Sequence, residues 1–186
     1  MKKYLALLLM MALAAAPGAL AQEAATPLPY GVSFDMDGQA VADAIGDGAV
    51  FTPYFEDDEE VGSIFLDGGI ALGLGGLQAN YVTFEVARNN SPEEPRLYLV
   101  SAGLPVSGNG VKEFRDALDA LKALYGEPDN DPFDESGVEC YVEYGTLSAT
   151  WSKADARINL SMGRMYGAYL SLDFTSRLCY DAADLQ

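Results

Sequence analysis

Histidine is missing from this sequence altogether. Without an imidazole there is no Ser-His-Asp or Cys-His nucleophile pair, and the commonest general base and zinc ligand is gone. Basic residues are also scarce, with 11 Lys and Arg set against 28 Asp and Glu for a formal net charge of −17. Nucleic acid and anionic membrane surfaces are therefore disfavoured as partners, because both would be repelled over a Debye length or more. There is no GxSxG elbow and no Ser-x-x-Lys. The glycine-rich stretch "GGIALGLGGLQ" fits neither GxGxxG nor the P-loop, which needs a Gly-Lys-Ser/Thr ending. Cysteine is reduced to Cys140 and Cys179, too far apart for a CxxC redox pair or a zinc knuckle.

Long apolar runs are limited to one, at the start: "MKKYLALLLMMALAAAPGALAQ". Two lysines, a short apolar core broken at Pro17-Gly18, and small residues at Ala19 and Ala21 have the layout of a secretory signal peptide cleaved after Ala21. The strongly apolar part falls short of the roughly 20 residues needed to span a bilayer. No cysteine follows it, which argues against lipoprotein processing. The expected mature chain of about 165 residues is long enough for one domain or two small units sharing a core. Its expected location is periplasmic or secreted, with no membrane span after cleavage. In that oxidising setting Cys140 and Cys179 are expected to form a structural disulfide, worth about 4 kcal/mol on the chain-entropy view.

Along the chain, residues 22–30 read as a disordered lead-in. "DMDGQAVADAIGDG" offers Asp35 or Asp37 as a cap, Val41 and Ile45 one turn apart, and Gly46 as a stop, which predicts a short helix. "AVFTPYF" and "GSIFLDG" flank an acidic hairpin tip, while "YVTFEVAR" and "RLYLVSA" alternate as paired strands. In "GVKEFRDALDALKALYG" the residues Val111, Phe114, Leu118, Leu121 and Tyr125 recur at steps of three and four. That spacing predicts an amphipathic helix from an Asn109 cap to Gly126. Four strand-like segments follow, "VECYVEY", "TLSATWS", "RINLSMG" and "AYLSLDFTS", with connections short enough for an antiparallel meander.

The expected fold is thus α+β, an amphipathic helix packed on an antiparallel four-stranded meander, with two such αββββ units in tandem. Residues 31–105 form the first, 106–180 the second, and 181–186 a tail. That order, together with "LKALYGEP", "ATWSKADARINLSM" and "LSLDFTS", resembles small secreted bacterial proteins built from helix-plus-four-strand units. The beta-lactamase inhibitor proteins are the characterised example. The likeness covers about the last 75 residues and implies a binding or inhibitory scaffold, without transferring any site residue.

Two acidic segments are candidate binding surfaces: the hairpin tip Glu56, Asp57, Asp58, Glu59 and Glu60, and the loop carrying Asp129, Asp131 and Asp134. The ordinary reading of such runs is solvated surface. Read as an EF-hand, the loop puts Phe133 at a ligand position, Asp134 at the turn glycine and Cys140 at the bidentate glutamate, so only an irregular calcium site remains open. The polar side of the expected meander offers Tyr141, Arg157, Asn159 and Tyr169, with Thr150 and Thr175, as a protein-recognition face. Asp67, Glu85 and Asp173 lie within or beside apolar strands and are the candidates for carboxylate catalysis.

The function expected from these residues is an exported non-catalytic binding module, inhibitor- or immunity-like. It would engage a basic protein or cationic peptide through acidic loops and a polar sheet face, with no cofactor and no metal ligand set. The alternatives are a small carboxylate hydrolase of envelope glycans and an irregular calcium-binding protein.

Overall fold

The computed structural model describes residues 25–46, 48–56, 59–87, 95–164 and 167–177. The expected signal peptide and the tail 181–186 lie outside the described residues.

Two helices form where their apolar stripes require them, the first with a side-chain cap and the second starting after Gly110 rather than from the expected Asn109 cap. Helix α1 (Gly38–Ile45) starts at Asp37, whose carboxylate accepts from the Ala40 amide at 2.8 Å, and it buries Val41 and Ala42. Helix α2 (Val111–Tyr125) buries Phe114, Ala117, Leu118, Leu121 and Tyr125, the expected stripe. Its last carbonyls are not left bare. Trp151 donates its indole N–H to the Gly126 carbonyl at 2.8 Å, and Lys153 donates to the Tyr125 carbonyl.

Both helices pack on one seven-stranded antiparallel sheet of order β1-β2-β3-β4-β7-β6-β5. The strands are β1 (Thr52–Glu56), β2 (Glu59–Ala71), β3 (Gln78–Ala87), β4 (Arg96–Gly103), β5 (Thr146–Ser152), β6 (Ala156–Gly163) and β7 (Tyr169–Ser176). One face carries Val82, Phe84, Val100, Ala102, Leu172, Phe174, Ile158, Leu160, Ala149 and Trp151, all fully or nearly fully buried. Against it α1 meets β2 and β4, and α2 meets β6. Antiparallel pairing of β4 with β7 joins the strands of the two halves, so both share one core.

Three expectations are corrected. "VECYVEY" is not a strand: it belongs to helix α3 (Glu135–Tyr144). Its alternation of Val138, Cys140, Val142 and Tyr144 is overruled by its ends. Asp134 caps the first turn by accepting from the Gly137 amide at 2.8 Å, and Gly145, at φ +69°, adopts the left-handed stop. The second half therefore holds two helices and three strands. The expected Cys140–Cys179 disulfide is also overturned. Cys140 is a free thiol, exposed on a helix that buries none of its residues; Cys179 lies outside the described residues.

The lead-in, finally, is not loose from Thr26 onward. The Thr26 amide and hydroxyl both donate to the Asp155 carboxylate, the Tyr125 hydroxyl donates to the Pro27 carbonyl at 2.6 Å, and Leu28 is buried.

Candidate binding face

The helices cover one side of the sheet and leave the other open. Strand pairing sets its side chains in rows, because residues directly opposite in an antiparallel ladder share a face. One row runs Phe65, Thr83, Ser101, Asp173, Asn159, Thr150, from β2 to β5. A second runs Ser63, Glu85, Leu99, Thr175, Arg157, Ser152, and a third Asp67, Tyr81, Gly103, Ser171, Ser161, Ser148.

Near the middle sits Asp173. Its carboxylate accepts from the Ser101 hydroxyl at 2.6 Å and from Ser171 at 3.4 Å, and the Ser171 and Ser161 hydroxyls lie 2.8 Å apart. Burial pushes the Asp173 carboxyl above the ordinary aspartate range, and the two serine hydrogen bonds pull only partly the other way. On the next row the Tyr98 hydroxyl donates to Glu85.

The same face carries aromatic rings open to solvent: Phe65 is 60 % exposed, Tyr81 41 % and Tyr169 52 %. Phe65 and Tyr81 stack with centroids 6.1 Å apart. Tyr81 lies over Gly103, and Tyr169 over Gly163. A Cβ on either glycine would overlap the ring, so these two rings rest on bare backbone of the neighbouring strand.

No protein-family model, curated protein or solved structure matches this chain. The chemistry of the face itself must carry the functional reading.

Of the residues singled out from the sequence, Arg157, Asn159 and Tyr169 lie on this face with Thr150 and Thr175. Tyr141 does not. It sits on α3 with the Arg164 guanidinium 4.6 Å above its ring, a consequence of the helix replacing the expected strand. Asp67 and Glu85 share the open face with Asp173.

The two acidic segments are placed apart. Glu56 and Glu59 pair at the β1–β2 turn, with Glu60 next in β2, while Asp57 and Asp58 lie outside the described residues. That hairpin forms one edge of the sheet and β5 the other. Six strand spacings put the edges about 29 Å apart.

The second segment runs along β5 as its edge cover. The Asp129 amide donates to the Thr150 carbonyl at 2.7 Å, and its carboxylate accepts from the Ser152 amide at 2.7 Å. Asn130 donates to the Ser148 carbonyl and accepts from the Thr150 amide, both at 2.8 Å. Asp131 accepts from the Phe133 amide at 2.9 Å and Asp134 caps α3. These side chains are engaged by backbone N–H groups, and among the described residues no group of three or more Asp, Glu or Cys is placed to hold a metal ion.

Phe65, Tyr81, Ser101, Ser161 and Ser171 escaped the sequence reading. The alternation of Ser63, Phe65 and Asp67 against Ile64 and Leu66 was the signal that could have placed Phe65 on the polar side.

Proposed function

We propose that this chain is an exported, non-catalytic binding module that engages a basic protein through the open face of its sheet. The observation carrying this reading is the uncovered face itself. Exposed Phe65, Tyr81 and Tyr169 share the face with a serine-held carboxylate on a rigid sheet, the mixture of aromatic anchor and oriented polar group that protein recognition uses. The net charge of −17 selects a basic partner, and acidic segments at both edges steer its approach without having to meet. The leader at residues 1–21 supports action in the periplasm or outside the cell.

We read the helix-then-meander order, once over 38–103 and once over 111–176, as two related units, the second spending its first strand-like segment on α3. This order is the basis of the likeness to the beta-lactamase inhibitor proteins, which are binding scaffolds. The hydrolase alternative draws less support, since the row neighbours of Asp173 are Ser101 and Asn159 rather than a second carboxylate. Irregular calcium binding draws less as well, because Asp129, Asp131 and Asp134 are turned to backbone amides.

Substitutions on the face and at the hairpin test the reading. The mature protein, a Phe65→Lys/Tyr169→Lys variant of the face and a Glu59→Gln/Glu60→Gln variant of the hairpin are each immobilised and challenged with the exported protein fraction at low and high salt. The expected result is a basic partner held by the parent, lost by the face variant, and retained by the hairpin variant with slower association. Equal capture by the face variant, with its melting curve unchanged, would refute the assignment.

A further inference from the structure

Resting on that reading, we propose that Asp173 is the seat for a lysine or arginine side chain of the partner, and so the residue that makes the face selective for cations. The carboxylate lies on an inner strand of the sheet, oriented by Ser101 and Ser171, with Ser161 holding Ser171 in turn. Thr83 and Asn159 share its row.

Among the described residues no ion pair reaches it. The charged and titratable groups on the same face are Arg157 on β6, diagonal to it and exposed, Glu85 on β3, engaged by Tyr98, Asp67 on β2, and the phenols of Tyr81 and Tyr169. A partly desolvated carboxylate served only by hydroxyls lacks a counter-charge. The covered face would have no room for one, but this face is open. A cationic head arriving from above completes charge-assisted hydrogen bonds in a site where shielding from water makes them stronger than at an ordinary surface. The Tyr81 ring, resting over Gly103 directly opposite Ser171, offers apolar surface for the methylene stem.

Linkage gives the seat a second signature. Burial holds the folded-state proton affinity of Asp173 above that of the unfolded chain, so its contribution to stability is lost as pH rises through the raised value. The group is therefore retained at neutral pH against the interest of the free fold. A bound cation reverses the preference, so binding releases a proton in that window and tightens as pH rises.

The test uses isotope-labelled mature protein and two capped decapeptides, one alternating lysine with serine, the other with glutamine in place of lysine. The lysine peptide should shift the Asp173 carboxyl, Ser101, Ser171 and Tyr81 resonances, while the glutamine peptide should not. Asp173→Asn should weaken the lysine peptide about tenfold, the value of one charge-assisted hydrogen bond. Asp119→Asn, which removes the same charge from the exposed side of α2, should cost less than about twofold, as a screened surface charge does. Affinity should fall on acidification in step with titration of the Asp173 carboxyl carbon.

Equal weakening by the two substitutions overturns the seat, as does absence of lysine-peptide binding at millimolar concentration. Shifts confined to the open face but indifferent to Asp173→Asn overturn the seat and leave the binding face standing. Shifts located only away from that face overturn both.

Discussion

Replacing Asn130 by alanine should unseal the β5 edge of the sheet. Its side-chain amide takes the place of a neighbouring strand residue, giving an N–H to the Ser148 carbonyl and an oxygen to the Thr150 amide, each at 2.8 Å. Each neutral hydrogen bond contributes about 0.5–1.5 kcal/mol net, and water can replace part of it at an exposed edge, so the pair is worth about 1–2 kcal/mol. For a domain of this size that lowers Tm by about 2–8 °C. Thermal unfolding followed by circular dichroism gives the total, and amide exchange gives the location. Thr150 should lose protection in Asn130→Ala, whereas Ser152, which donates to the Asp129 carboxylate at 2.7 Å, should lose it in Asp129→Ala. Exposing a row of unpaired strand groups should also promote self-association, read by sedimentation. A Tm within about 1 °C of the parent, below the 2–4 °C expected per kcal/mol, together with unchanged Thr150 exchange, would show that the loop merely lies beside the sheet.

Trp151→Phe removes the indole bond to Gly126 and part of a ring that is 1 % exposed, and should cost about 2–3 kcal/mol in denaturant unfolding. Tyr125→Phe releases the arm at Pro27 and Asp155→Ala releases it at Thr26. Each should lower Tm by a few degrees and expose the segment to limited proteolysis, consistent with loss of one or two hydrogen bonds. Asp173→Asn should raise Tm at neutral pH and narrow that gain as pH falls into the range where the parent carboxyl protonates, measured by melting across pH. Cys140 should alkylate in native, unreduced protein, read by peptide mapping; protection of that peptide until reductant is added would contradict the free thiol.

What could be read in advance follows from how local each signal is. The stripe of α2 and the alternation of β3, β5, β6 and β7 are repeated many times along their segments, and the buried residues match them. Helix α3 defeated the same method because it lacks a buried stripe: all its register came from Asp134 and Gly145, while Val138, Val142 and Tyr144 favoured a strand on propensity. That one misreading puts Tyr141 on the sheet face, whereas the structure holds it on the helix against Arg164. Arg157, Asn159 and Tyr169 survived because their strands did.

The sequence by itself determined that this is an acidic, histidine-free chain built from amphipathic elements that form an α+β core. Those properties depend on composition and on neighbours a few residues apart. Only the tertiary structure decided that Ser101 meets Asp173 across 72 residues, that the two acidic segments stand at opposite edges, and that Asp129 and Asn130 seal β5. These facts depend on which strands become neighbours. Strand order is fixed by burial of one shared apolar face, a global condition that no local run of residues expresses.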